Sequence, residues 1–123
     1  MRRPELRTIL VVDDDHDVTR VVDRVLTRNG FRVHSADSPS EALAIVRRER
    51  VQLIISDVHM PGLAGPDLLK YLRDRGIAVP VLFMSGDLSI ENVERALDIP
   101  EASFLPKPFS EAELFSAVSA VIR

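Results

Sequence analysis

The sequence predicts an α/β, doubly wound fold: one five-stranded parallel sheet, order 2-1-3-4-5, with helices on both faces. Three observations predict it. Short β-branched runs alternate five times with segments of helical period, and parallel neighbours need such crossovers, which are right-handed. The first and third runs are apolar throughout, as strands buried on both faces are, whereas the second alternates and suits an edge. Four of the five runs end near a polar side chain. Acids, a hydroxyl and an amine therefore gather at the carboxyl ends of the strands, where such sheets bind ligands, at the switch point between the first and third.

The strand runs are TILVV (8–12), FRVHSA (31–36), LIIS (53–56), VLFM (81–84) and SFL (103–105). Between the first two, Val18, Val21, Val22, Val25 and Leu26 recur at helical spacing and the face ends near Asn29-Gly30. Ser38-Pro39-Ser40-Glu41 combines a capping box with Pro at the first helical position, and Ala42, Ile45 and Val46 form the stripe behind it. Pro66 opens a third helix carrying Leu68, Leu69 and Leu72, which stops by Gly76. A shorter fourth runs from Ser89 to Leu97, with Ile90, Val93 and Leu97 expected on its apolar side. The last begins at a second capping box, Ser110 to Glu113, and is expected to bury Leu114, Phe115, Val118, Val121 and Ile122, with Phe109 also in the core. No repeat, linker or low-complexity segment interrupts the pattern, so residues 1–123 are expected to form one domain.

Composition narrows the function. Hydrophobic residues make up 46% and charged residues 28% of the 123, the balance of a folded protein. A net charge of -3 offers no broad attraction for nucleic acid or an anionic membrane, and direct nucleic-acid binding is not expected. The arginines of VRRER (46–50) are read as a solvated helix end. The absence of Cys excludes disulfides and thiolate zinc sites; His16, His34 and His59 lack ligand spacing. The apolar run Ile9–Val12 is too short for a signal peptide or membrane span, which favours a cytoplasmic protein.

Asp13 and Asp14 follow the first strand, Asp57 the third, Ser85 the fourth and Lys107 the fifth. Acids from strands 1 and 3 would face each other across the switch point, where like charges about 4 Å apart repel by ~1–4 kcal/mol depending on the dielectric. A hard divalent cation offsets this. Mg2+ suits the donors because it needs only a couple of carboxylates and keeps waters, leaving room for phosphate oxygens. Each feature alone has a plainer explanation: DDDHD as helix capping, which is where Asp15 and Asp17 are assigned; an Asp after a strand as a turn residue; PKP as a stiff loop.

Taken together the residues resemble the response-regulator receiver domain of two-component signalling. ILVVDDD, LIISDVHMPG, VLFMSGD and FLPKPF match its four signature regions in order, with Asp14, Asp57, Ser85 and Lys107 separated by 43, 28 and 22 residues. The resemblance covers essentially the whole chain and implies the flavodoxin-like (βα)5 arrangement. It also implies that Asp57 is the phosphoacceptor, and that Asp14, Asp57 and the backbone carbonyl of His59 ligate Mg2+, with Asp13 acting mainly through water. Ser85 would bond the phosphoryl group, Lys107 would contact it, and the bond to Pro108 would be cis. Phe104 would occupy the switch aromatic position, without the hydroxyl of a tyrosine. His59 and Asp87, each two residues beyond a signature residue, stand where the family tunes attack by water on the acyl phosphate; Gly86 replaces the more frequent Ala.

The implied function is that of a phosphorelay acceptor, with Asp57, Ser85 and Lys107 as its chemical residues. The partner would be a histidine kinase or phosphotransfer protein, and the output an unidentified downstream protein. The domain would assist its own phosphorylation and dephosphorylation only, and would not be an enzyme. Movement of Ser85 and Phe104 would remodel the face of the fourth helix, fifth strand and fifth helix, which is also a candidate homodimer surface. Two alternatives are a Mg2+-dependent phosphohydrolase with an Asp nucleophile, which would want an acid at the position of His59, and a binding module that signals without phosphate. Nucleotide or flavin binding would call for a Gly-rich or Ser/Thr-rich loop after the first strand, not three Asp. FMSGD, FLPKPF and the short fourth helix resemble receivers attached to hybrid histidine kinases. The chain ends with its fifth helix, so no attached output domain is expected within it.

Overall fold

The computed structural model describes residues 7–60 and 62–122; the basic N-terminal residues, Pro61 and Arg123 lie outside the described residues. Its elements are β1 (Thr8–Val12), α1 (His16–Arg28), β2 (Arg32–Ala36), α2 (Pro39–Arg48), β3 (Val51–Asp57), β4 (His59–Met60), β5 (Leu63–Ala64), α3 (Gly65–Asp74), β6 (Val81–Ser85), α4 (Ile90–Leu97), β7 (Ala102–Pro106) and α5 (Glu111–Val121). The main sheet has the order β2-β1-β3-β6-β7, and every pair in it is parallel. This is the expected 2-1-3-4-5 topology. The two-residue β4 and β5 pair with each other as a small antiparallel hairpin that the sequence did not signal.

Alternation along each strand sends side chains to opposite faces. Leu10, Val12, Ile54, Val81 and Phe83 pack beneath α2, α3 and α4 with Leu43, Leu68, Leu69 and Leu72. Ile9, Val11, Leu53, Ile55, Leu82 and Met84 pack beneath α1 and α5 with Val22, Leu26, Leu114 and Val118. Complete burial of each such side chain is worth about 1.5–3 kcal/mol. Two faces of one sheet thus share the core, with β1 and β3 at the centre and β2 at an edge.

Four expectations about helix surfaces are corrected. Val21 of α1 is 49% exposed and Phe115 of α5 is 40% exposed, because each stripe is wider than the strip of sheet beneath it. On α4 two of the three expected apolar residues are turned outward, Ile90 77% and Leu97 50% exposed, Val93 is half-buried, and the helix buries Asn92 and Ala96. At α2, Ser38 caps the backbone N–H of Glu41 as expected, but the reciprocal bond from the Ser38 N–H to the Glu41 carboxyl is not formed and the box does not close. The box at α5, Ser110 with Glu113, is complete. Asp15 caps α1 by accepting from the backbone N–H groups of Asp17 and Val18, as its position implied.

A candidate phosphoryl-acceptor site at the switch point

Asp57 does not follow β3 but ends it, in register with Met84 of β6. The ladder continues one residue further, the N–H of Val58 donating to the Met84 carbonyl at 3.0 Å. The chain then turns through the β4–β5 hairpin, and the N–H of Gly65 donates to the Val58 carbonyl at 2.9 Å. Gly65 has to be glycine here. A Cβ at that position would overlap the Asp57 backbone carbonyl and press on the Ser56 hydroxyl. Ser85 likewise ends β6, and the N–H of Lys107 donates to its carbonyl at 2.8 Å, which carries the β6–β7 ladder to the lysine. Asp57, Ser85 and Lys107 are therefore held by hydrogen bonds that continue the sheet ladder.

Three of the expected residues meet. Lys107 Nζ donates to Asp57 Oδ2 at 2.7 Å and reaches Asp13 Oδ2 at 3.5 Å. The side chains are 22%, 13% and 0% exposed for Lys107, Asp57 and Asp13, so the charges interact with little solvent between them. Asp57 Oδ1 accepts from the backbone N–H of His59 at 3.0 Å, and Asp13 Oδ1 from that of Asp15 at 2.9 Å. Burial would pull the Lys107 ammonium down, but the hydrogen bond and charge of Asp57, helped by Asp13, outweigh it and hold the group above its ordinary value. Burial pushes Asp13 up, against the Asp15 N–H and Lys107.

Asp14 is exposed beside them at the end of β1. Ser85 is buried, and its hydroxyl bonds Asp87 and Asn92. Phe104 is half-buried on β7, opposite Phe83, against the core beneath α3 and α4. His59 is exposed, with Nε2 3.5 Å from Asp87 Oδ2, and the Lys107–Pro108 bond is cis. Asn92 is the site neighbour that sequence reasoning missed. Beside Lys107 runs an open groove of about 520 Å³, walled by Val18, Val21, Pro108 and Phe109.

Among the described residues, no three acid or histidine side chains lie together as a metal cage. The oxygens present, two carboxylates backed by backbone carbonyls, fit a hard cation that keeps water and takes further oxygens from a ligand; that is the habit of Mg2+ and not of zinc.

An open parallel sheet with an acid–lysine cluster at its switch point defines a class of α/β protein built around a single small anionic-ligand site. The chain belongs to the response regulator receiver domain family, whose model matches residues 9–119. It is 36% identical over 115 residues to the response regulator MprA of Mycobacterium leprae, covering 94% of this chain and 50% of that protein. The MprA of Mycolicibacterium vanbaalenii gives the same identity and coverage. The chain thus spans about half the length of the curated relatives it matches. Among solved structures, the chemotaxis protein CheY4 of Vibrio cholerae superposes with a TM-score of 0.88 at 28% identity, over 96% of this chain and 100% of that one. The receiver domain of the hybrid histidine kinase CckA does so with a TM-score of 0.77 at 35% identity, over 94% and 99%. The protein is therefore a receiver domain of two-component signalling, a family whose partners are histidine kinases and whose members bind Mg2+. No helix among the described residues is long and apolar enough to cross a membrane.

Proposed function

We propose that this receiver accepts a phosphoryl group on Asp57 from a phosphohistidine of a histidine kinase or phosphotransfer protein. The observation that carries the reading is the 2.7 Å contact between Lys107 Nζ and Asp57 Oδ2, with Asp13 behind it. A carboxylate oxygen of Asp57 forms the new P–O bond. The P–N bond to the donor imidazole breaks, and its electron pair stays with the imidazole. Such transfer depends mainly on alignment and charge stabilisation, so a site without a general base suffices. Lys107 provides a fixed positive charge beside the acceptor oxygen. The backbone N–H of His59 orients the other oxygen. Bound Mg2+ supplies the remaining positive charge for the incoming oxygens; Asp13, Asp14, Asp57 and the His59 carbonyl are the groups that would hold it.

The groove walled by Val18, Val21, Pro108 and Phe109 opens at Lys107 and gives a donor protein an apolar footing next to the acceptor. The added charge at Asp57 then draws the Ser85 hydroxyl, and Phe104, half-buried on the neighbouring strand, repacks with it. The face of α4, β7 and α5 changes as a result, and with it the binding of a downstream protein or a second copy.

Incubation with Mg2+ and acetyl phosphate followed by intact-mass measurement tests the assignment. Wild type is expected to gain one phosphoryl mass, and neither Asp57→Asn nor chelator-treated protein to gain any. No gain in wild type, or an equal gain in Asp57→Asn, rejects it. Identical NMR shifts along residues 85–115 before and after modification would reject the coupling to Phe104.

A further inference from the structure

Among the described residues, the one polar side chain buried on a helix is Asn92, 4% exposed in the first turn of α4. Its backbone N–H donates to the capping hydroxyl of Ser89 at 3.3 Å. Its side-chain Nδ2 donates to the Ser85 hydroxyl at 3.2 Å and to the Asp87 backbone carbonyl at 2.8 Å. Ser85 is equally committed. Its Oγ accepts from the Asp87 N–H at 3.0 Å and from Asn92, and its proton faces the Asp87 carbonyl at 3.4 Å. A hydroxyl has one donor and two acceptor positions. All three are used within residues 85–92, and none is left for Asp57.

We propose that Asn92 is a positioning residue: its amide holds the Ser85 hydroxyl in the β6–α4 loop, so that occupancy of Asp57 and placement of the first turn of α4 are coupled through this hydrogen bond. The inference rests on Asp57 being the phosphoacceptor. For Ser85 to donate to a phosphoryl oxygen, its one proton leaves the long contact to Asp87 and its lone pairs turn away from Asn92. A buried N–H then loses a partner, which is more costly than an ordinary hydrogen bond is favourable. The first turn of α4 relieves this by moving until water reaches Asn92. Little packing resists, since α4 buries only Asn92 and Ala96 and leaves Ile90 and Leu97 in solvent. Resting protein thus keeps α4 docked by the same bond that keeps Ser85 from the acceptor.

The test is a double-mutant cycle on the affinity for beryllium fluoride, a phosphoryl stand-in on Asp57, measured by NMR titration with Mg2+ present. Asn92→Ala removes the competing donor and is expected to bind roughly threefold to tenfold more tightly than wild type. In a Ser85→Ala background the same substitution is expected to change nothing, because there is no hydroxyl to hold. A purely structural role for Asn92 would act equally in both backgrounds. An unchanged or lower affinity for Asn92→Ala, or the same gain with and without Ser85, overturns the proposal while leaving the acceptor reading intact. Wild type that binds no more than Asp57→Asn overturns both. Should Asn92→Ala fail to fold, Asn92→Ser, whose hydroxyl is too short to reach Ser85, replaces it in the cycle.

Discussion

The carboxylate of Asp13 is fully enclosed behind Lys107, its Oδ2 3.5 Å from the ammonium nitrogen and its Oδ1 held by the Asp15 N–H at 2.9 Å. Burial, the largest influence, raises its pKa above the ordinary 3.8; the Asp15 N–H and Lys107 oppose this, and the charge of Asp57 adds to it. An acid with a raised folded pKa contributes stability that is present below the unfolded value and is lost as pH rises through the folded one. Above that window the native state carries an incompletely offset charge. Asp13→Asn keeps an oxygen for the Asp15 N–H and removes the charge. In metal-free buffer at neutral pH it is expected to melt a few degrees above wild type, with the gap closing as pH falls through the carboxylate range. Thermal melts across a pH series check this; a lower melting point for the variant at neutral pH contradicts it.

The five long strands and five helices were legible because β-branched runs and helical spacing are local properties of the chain. Their ends were less so. Asp57, Ser85 and Pro106 continue the ladder although their side chains read as turn residues, since register with Met84 of β6 and between β6 and β7 decides where pairing stops. Asp13, Asp57 and Lys107, which meet in the structure, could be placed at strand ends from the sequence, as could Ser85. Asn92 could not. A polar residue in a helix reads as solvent-facing, and only the return of residues 85–87 beneath α4 makes it interior. The exposure of Ile90 and Leu97 follows from the same rotation.

Lys107 is the counterpart case at high pH. Burial lowers its pKa, but the Asp57 hydrogen bond and charge prevail, and the folded value lies above the ordinary 10.5. Its contribution is fully present below the unfolded value and fades as pH rises through the folded one. Lys107→Met retains an apolar stem and leaves Asp57 and Asp13 without their shared cation. We expect a loss of about 1–3 kcal/mol at neutral pH in urea unfolding. The alkaline decline expected of wild type should be reduced in the variant; an undiminished decline would assign it to other groups.

Two glycines near the acceptor should respond oppositely to alanine. At Gly65 the new Cβ meets the Asp57 carbonyl, which is backbone and part of the strand that positions the acceptor. Gly65→Ala is expected to cost about 1–3 kcal/mol and to slow modification of Asp57, because the acceptor backbone must shift. At Gly86 the nearest atom is Lys107 Cβ at 4.0 Å, an ordinary contact. Gly86→Ala is expected to be neutral or to stabilise by about 0.4–1 kcal/mol through the unfolded chain, with little change in modification rate. Denaturant unfolding together with the acetyl phosphate time course separates them, and equal effects at the two positions would contradict the steric account.

At the opposite end of the sheet, Arg73 in the last turn of α3 donates from Nη1 to the Ile77 carbonyl at 3.0 Å and from Nη2 to the Pro100 carbonyl at 2.9 Å. One planar guanidinium thereby joins the segments that lead into β6 and β7. Burial lowers its pKa and the charge of Glu101 works against that, yet a guanidinium stays protonated throughout the accessible range. Arg73→Met removes both donors and is expected to cost about 1–3 kcal/mol. Arg73→Lys should recover only part, because one ammonium cannot match the spacing of two carbonyls that a forked group spans. Since both carbonyls precede the amino ends of their strands while Asp57 lies at a carboxyl end, modification of Asp57 should proceed at the wild-type rate in both variants under native conditions. Urea unfolding and the acetyl phosphate time course give the two numbers, and a variant that loses reactivity in proportion to its stability would show that the two ends of the sheet are not mechanically separate.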